Sequence, residues 1–562
     1  MQESAKESSY YRQMSDLTNC NPSQREAVTF GEGPLLVLAG PGSGKTFTIT
    51  QRILYLIHEK QIPPQKLLVI TFTREAAVSM RQRFLQISPQ HTTVNFGTFH
   101  SCFYQILLRS GRVSPGNILN EKQKKELIYP VLKKIKAHNS LSATDLPELA
   151  KNLLAAIGYY KNTGDLQSSM DRLPEEWKND FTQVYSGYEE ARKRIRGLDF
   201  DDMLKECEEL LQKDDALRAY WQNLFSYILI DEFQDINYRQ YCIVRLLAQK
   251  HKNVFAVGDD DQAIYGFRGA KPACMKQFVQ EFGAKQIILS TNYRSHQDIV
   301  EASLAVIEEN RDRFPKNLEP CEANRRHLGK MDKKNYHVRI REFSGAKEQL
   351  QFLMRQLKDR TEEETYGILF RTNLAMQSVA AGLTREGISF SIKEHGKNIY
   401  DHFIVQDILA YLRIAQGTAA RADYLRVVNK PFRNISREAF GGEVSLQALE
   451  QYYADLMNQT GAGYLISAYD AVRLLRRQME FVKNTDLKLA VWFLRKACGY
   501  ENYLQQRQRM EQTEEWMEIL DFITEEAGQY KTLREWQEAQ EVYREQLQEE
   551  NEHHQKKGRE ES

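Results

Sequence analysis

The first third of the chain alternates short apolar runs with amphipathic stretches. Residues 33–40, GPLLVLAG, form an apolar run that ends in glycine, and Ile49, Ile53, Leu56 and Ile57 then recur at the spacing of one helix face. After a break at Pro63-Pro64 comes KLLVI (66–70), so the opening reads strand, glycine-rich turn, helix, strand: the βαβ unit of a parallel sheet. Further apolar runs at TVNF (93–96), YILI (227–230), NVFAV (253–257) and QIIL (286–289) predict strands buried on both faces. Between about 102 and 198 the periodicity turns helical and rich in Lys, Glu and Leu, which predicts a helical insertion into that α/β domain. A second α/β stretch holds TYGILF (365–370) and ISFSIK (388–393), and helical patterns such as VQDILAYLRIA (405–415) dominate from roughly 386 to 540. The last stretch, EVYREQLQEENEHHQKKGREES, is nearly all polar and reads as a frayed, disordered tail in which His553-His554 is solvated. No internal repeat is evident.

Length changes the picture first. At 562 residues the chain is too long for one core, and three to five compact units are expected. Apolar residues at 41% and charged residues at 27% describe an ordinary globular protein. Basic and acidic side chains number 77 and 76, leaving +1, so a nucleic-acid surface would have to be a local patch. The seven cysteines include no CxxC pair and none closer than Cys242 and Cys274, which argues against a zinc or iron–sulfur site and for reduced, buried thiols. The N-terminus lacks the apolar core of a signal peptide, and no stretch approaches the roughly twenty apolar residues of a membrane span. A cytoplasmic protein with no membrane partner is expected.

Candidate chemistry begins at AGPGSGKT (39–46), a phosphate-binding loop with Ala39 where the strict pattern has its first glycine. Gly42 and Gly44 let the backbone turn its N–H groups toward phosphate oxygens, and the helix N-terminus behind them favours an anion. Lys45 is placed for the β- and γ-phosphates and the Thr46 hydroxyl for Mg²⁺. Such a loop needs a carboxylate source, because Mg²⁺ prefers oxygen ligands and an attacking water must be oriented and relieved of a proton. YILIDEFQD (227–235) supplies Asp231 for the metal and Glu232 as general base, although adjacent acids after a strand also suit a solvated turn. One loop is harder to read. AVGDDDQAIYGFRGA (256–270) carries three acids, an amide and aromatics together; a solvated turn needs none of the aromatics and a core strand tolerates none of the acids.

In order and spacing, CNPSQREAV (20–28), AGPGSGKT, TFTREAA (71–77), TFHS (98–101), LDFDD (198–202), LIDEFQD (229–235), GDDDQAIYGFRGA (258–270) and TNYRS (291–295) resemble a superfamily 1 DNA helicase of the UvrD/Rep, PcrA-like type. Weaker similarity continues through GILFRTN (367–373) and DILAYLR (407–413). The resemblance implies an α/β fold of P-loop NTPase, RecA-like motor lobes with parallel sheets, each carrying a helical insertion. It divides the chain into a first lobe over 1–101 and 199–284, its insertion over 102–198, an incomplete second lobe over 285–385, that lobe's insertion over 386–545, and a polar tail over 546–562.

Function follows in the same way. The resemblance implies an ATP-dependent helicase and translocase, using ATP and Mg²⁺, that moves 3′ to 5′ on single-stranded DNA and meets duplex junctions. Gln24 would read the adenine edge and Tyr293 stack on the base, with Ser43 joining the phosphate loop. Gln262 would sense the γ-phosphate and Arg294 contact it from the second lobe. Phe72, Tyr265 and Phe267 would line the single-strand track beside Thr98 and His100, although each aromatic alone also reads as core. Within 256–270, Gln262 would then face the phosphate while the aromatics face bases.

Three departures stand out. Phe47 occupies a position where these helicases usually have arginine, and Arg74-Glu75 replaces the usual Asn-Lys after TFT. The chain also reaches Ser562 before a TxHxxKGLE-like segment and a later arginine finger, so a separate polypeptide supplying that segment is expected, or a fragment of a longer product. Two alternatives stay open: an ATP- and DNA-binding fragment or subunit with little hydrolysis or unwinding of its own, and the motor part of a helicase–nuclease, for which no nuclease motif is visible.

Overall fold

The computed structural model describes residues 17–114, 116–135, 146–266, 269–325, 338–358, 365–392, 398–441, 444–461, 463–506 and 510–545. It divides into two units, Met1–Ile340 and Arg341–Ser562. Among the described residues, no helix is long and apolar enough to cross a membrane. The polar tail over 546–562 lies outside them.

The first unit is built on six strands: β1 (Leu35–Ala39), β2 (Leu67–Thr71), β3 (Asn95–Thr98), β4 (Tyr227–Ile230), β5 (Val254–Gly258) and β6 (Lys285–Leu289). They lie in the order β3-β2-β4-β5-β1-β6 and every neighbouring pair is parallel. Period-two alternation explains the uninterrupted apolar runs of β1, β2, β4 and β5, whose two faces are both covered; the edge strands β3 and β6, expected to be buried likewise, are not, with Ile288 of β6 exposed. Leu36, Leu38, Leu68, Ile70, Ile228, Ile230, Val254 and Ala256 enter one buried cluster with helix Phe99–Arg109. Leu35, Val37, Leu67, Val69, Leu229, Phe255 and Val257 enter the other, against helix α2 (Lys45–His58), which is flanked by α1 (Pro22–Thr29).

Two expectations shift here. The QIIL run, expected to open a second lobe, instead closes the first sheet as β6, paired with β1 from Leu35↔Lys285 to Ala39↔Leu289. An apolar run specifies burial but not its hydrogen-bond partner, so sequence left its sheet undetermined. The first insertion also starts later than residue 102, because Phe99, Phe103, Ile106 and Leu107 pack on the sheet. Its own core, around Ile128, Leu153, Trp177, Phe181 and Tyr188, is separate. The insertion leaves and rejoins the motor through neighbouring backbone: Leu198 donates to Asn117 O at 2.8 Å and Leu119 donates back to Leu198 O at 2.9 Å. The LDFDD motif anchors this junction. Asp199 caps helix Phe200–Lys213, and the buried Lys161 ammonium reaches Asp199 at 2.7 Å, Glu189 at 2.7 Å and Asp202 at 2.9 Å.

The second unit gathers helices Phe403–Gln416, Leu446–Thr460, Ile466–Lys483, Leu487–Lys496 and Met510–Ala527 around one apolar core that includes Ile404, Tyr411, Leu449, Val472, Leu494 and Trp536. Within DILAYLR, Asp407 is a buried hub that accepts from Arg426, Lys430 and the Tyr500 hydroxyl, each at 2.8 Å. The strands expected at 365–370 and 388–393 are not assigned among the described residues. Ile368, Phe370, Ile388 and Phe390 pack on helices Ala346–Lys358 and Asn373–Arg385, while Leu369 between them is 97% exposed. Alternation gave these segments one buried face, but no neighbouring chain supplies a ladder among the described residues.

Candidate nucleotide site and nucleic-acid face

Each strand of the sheet delivers its carboxyl end to a segment that carries chemistry, the edge at which open parallel sheets gather ligands. β1 runs into the glycine-rich turn, β2 into Phe72, β3 into Thr98 and His100, and β4 into Asp231 and Glu232. β5 leads to Asp259, Gln262 and Tyr265, and β6 leads toward Tyr293 and Arg294.

Gly42 and Gly44 hold φ values of 68° and 85°, in the left-handed region that side chains resist. Space demands glycine as well: a Cβ on Gly42 would lie 2.8 Å from Arg294 Cβ, and one on Gly44 would lie 2.8 Å from Gln24 Nε2. Gly44 caps α2, so the free N–H groups of that helix's first turn face the loop beside half-buried Thr46. Ser43 is buried and donates its hydroxyl to Gly40 O at 2.7 Å. Gln24 is engaged with protein on both amide atoms: Nε2 donates to Ser43 O at 3.0 Å and Oε1 accepts from Asn21 N at 3.1 Å. Tyr293 reaches the same corner, donating its N–H to Gly42 O at 2.9 Å and accepting at its hydroxyl from Asn21 Nδ2 at 2.8 Å. Arg294 follows with an exposed side chain. Asn292, which sequence reasoning missed, fixes this approach: its amide donates to Pro41 O at 2.7 Å and accepts from Arg294 N at 2.9 Å.

Lys45 brings three of the expected residues together. Its ammonium lies 3.3 Å from Glu232 Oε2 and 3.4 Å from Gln262 Oε1. Glu232 has φ 51°, a left-handed backbone that a non-glycine residue adopts only when its surroundings impose it. Gln234 holds the same carboxylate, donating to Glu232 Oε2 at 2.9 Å and to Asp235 Oδ2 at 3.0 Å. Asp231 is 7% exposed and accepts from the Glu232 N–H at 3.0 Å. Burial, reinforced by the Glu232 charge, pushes the Asp231 carboxyl up to about 6, and Asp235 likewise to about 6. Carboxylates held this way gain from a nearby cation.

The acids of 256–270 have partners that the sequence did not reveal. Lys316, 4% exposed, extends its ammonium to Asp259 at 2.5 Å, to Asp261 at 3.0 Å and also to Asp260. Arg313 grips Asp261 with two donors, at 2.9 and 2.6 Å, and Phe314 N donates to Asp260 at 2.7 Å. The signal was present: three successive acids at a buried strand end require cations from elsewhere. The RFPK segment itself (313–316) carries no motif.

Phe72 and Tyr265 pack together, with ring centroids 4.6 Å apart and planes 33° apart, both half-buried. His100 meets Phe200 edge-on at 5.3 Å. Thr98 uses its hydroxyl to cap helix Phe99–Arg109, accepting from Ser101 N at 3.2 Å. Phe267 lies outside the described residues.

Residues 20–283 match the UvrD/REP helicase N-terminal domain, and residues 287–562 match the UvrD-like helicase C-terminal domain. An ATP-dependent DNA helicase PcrA from Staphylococcus epidermidis is 32% identical over 527 residues, which covers 89% of this chain and 70% of that protein. An ATP-dependent DNA helicase PcrA from Staphylococcus aureus is 31% identical over 528 residues, covering 90% and 70% respectively.

Proposed function

The chain belongs to the UvrD/REP helicase family and is an ATP-hydrolysing DNA helicase, and from that premise we propose how its motor site works: the phosphate loop binds ATP, Glu232 activates water, and the Phe72–Tyr265 pair grips single-stranded DNA. The observation that carries this reading is the convergence of Glu232 Oε2 and Gln262 Oε1 on the Lys45 ammonium, at 3.3 and 3.4 Å.

Water attacks the γ-phosphorus in line, the bond to the bridging oxygen breaks, and ADP and phosphate leave. Glu232 takes the water's proton, Lys45 and Arg294 offset charge on the phosphoryl oxygens, and Gln262 registers the γ-phosphate. Thr46 and Asp231 would hold a Mg²⁺, which supplies charge neutralisation to the phosphates when bound; a buried carboxyl held near 6 fits that role. Gln24 reads the adenine edge after releasing Ser43 O, and Tyr293 stacks on the base. Thr98 and His100 flank the DNA track.

Direction of travel is 3′ to 5′, toward duplex junctions. Steady-state ATPase with and without single-stranded DNA, together with unwinding of duplexes bearing a 3′ or a 5′ tail, tests the reading. Strong stimulation and preference for the 3′ tail are expected; unstimulated turnover or preference for the 5′ tail overturns it. A second reading, in which efficient unwinding needs a further polypeptide segment, is supported by the apolar Leu369 of the second unit, which is 97% exposed. Full unwinding by the chain alone overturns that second reading.

A further inference from the structure

Lys316 stands outside every motif, yet its ammonium is enclosed beside the motor site, with a side chain 1% exposed. It faces three carboxylates, and only two cationic side chains, Lys316 and Arg313, lie against them among the described residues. A buried ion cluster of this kind is a poor way to gain stability, because desolvation offsets most of the attraction. Its placement suggests another use.

Asp259 is shared. One carboxylate oxygen, Oδ1, accepts from Lys316 at 2.5 Å; the other, Oδ2, accepts from Gln262 Nε2 at 2.6 Å. The far end of the same Gln262 amide, Oε1, accepts from Lys45 at 3.4 Å. A single carboxylate therefore orients the glutamine that faces the phosphate loop, and Lys316 orients the carboxylate.

The segment carrying Lys316 returns to that loop by a second route. Two residues on, Leu318 packs so closely on Gly40 that a Cβ there would lie 2.5 Å from a Leu318 methyl. Glu319–Pro320 then pairs in parallel with Thr291–Asn292, in the register Thr291↔Glu319 and Asn292↔Pro320. Asn292 donates to Pro41 O at 2.7 Å and precedes Tyr293 and Arg294. Contacts thus form a closed circuit from Lys45 through Gln262, Asp259, Lys316 and Asn292 back to the phosphate loop.

We propose that Lys316 is a positioning residue for ATP hydrolysis: through Asp259 it fixes the rotamer of Gln262 and ties that residue's response to the γ-phosphate to the Thr291–Asn292 strand that leads into Arg294. The proposal rests on the reading of Gln262 as the residue that meets the γ-phosphate. A change in Gln262 on loss of phosphate pulls on Asp259, and the tether transmits it to Arg294 without unpairing a strand. Asp261 and Arg313 brace the cluster from the side.

The test compares DNA-stimulated ATPase for the parent chain, Lys316→Met, Gln262→Ala and the double variant. Lys316→Met should lower kcat by about tenfold or more while KM for ATP stays within about threefold, because phosphate ligands are untouched. The double variant should be no slower than Gln262→Ala by more than about twofold, since both act through one side chain. Because Lys316→Met leaves buried carboxylates less compensated, Lys316→Met with Asp260→Asn carries the same measurement with the cluster charge restored, and a thermal melt checks folding. A kcat within about twofold of the parent in the folded Lys316 variants, or multiplicative slowing in the double variant, overturns the proposal. Unchanged kcat in Gln262→Ala overturns the reading of Gln262 itself, a result distinct from either.

Discussion

Lys45 Nζ lies 3.3 Å from Glu232 Oε2, so the cation of the glycine-rich loop and the carboxylate after β4 form an ion pair. On the proposed reading, phosphate entering the loop would compete with Glu232 for that ammonium. If Glu232 is the base, as proposed, nucleotide binding and release of that carboxylate are then one event.

Lys45→Ala should abolish ATP turnover and leave the fold intact, since it removes a phosphate ligand and no core volume. Isothermal titration with ATP and a thermal melt check both halves. Full affinity and turnover in the variant would move the phosphate site elsewhere.

Glu232→Gln should keep nucleotide binding while hydrolysis falls by about 10²–10⁴. The isosteric amide still accepts from Lys45 and Gln234, so the loop geometry persists. Rapid-quench measurement of single-turnover hydrolysis separates this from slow product release, and parent-like chemistry would exclude Glu232 as the base.

Phe72→Ala and Tyr265→Ala should each weaken single-stranded DNA binding by about 1–3 kcal/mol, with little dependence on base sequence. The rings lie 4.6 Å apart, so the double variant should lose less than the sum. Fluorescence anisotropy on homopolymers of different bases checks this; additive losses, or loss confined to one base, would contradict a shared stacking platform.

Glu526 makes a pH-dependent prediction for the second unit. Burial pushes its carboxyl up from 4.5 to about 7, although the Tyr400 hydroxyl donates to it. Between those values the folded chain holds a proton that the unfolded chain has released, so this group's contribution to stability grows as pH falls through the window and is lost as pH rises past about 7. Glu526→Gln should match the parent near pH 5 and exceed it at pH 8 by about 1–3 kcal/mol. Calorimetric melts at the two pH values read the difference, and an equal effect at both would rule out titration of Glu526 as its source.

The residues legible in the sequence are those whose chemistry is local. Five runs of period-two or continuous apolar character foretold the strands from β1 to β5, and the glycines at 42 and 44 announced a turn that no other residue could make. Glu232 and Asp231 were legible because they follow a strand end directly. Lys316 and Arg313 were not, because each acts on a loop far away in sequence and neither sits in a pattern of its own; Asn292 lies within TNYRS, but its hydrogen bond to Pro41 O could not be read from the motif. The strand QIIL was seen, but its partner β1 lies some 250 positions earlier. At 365–370 and 388–393 the apolar content suggested strands, but it says nothing about pairing.

The neck at Asn117, Leu119 and Leu198 makes the first helical insertion a closed loop as far as the sheet is concerned. Chain enters and leaves it between hydrogen-bonded neighbours, and its core of Ile128, Trp177 and Tyr188 is its own. The strand order is therefore indifferent to how much polypeptide the loop contains. A module of different length could leave and rejoin at this neck without altering the six-strand order, provided that it supplies a cation for Asp199 and Asp202.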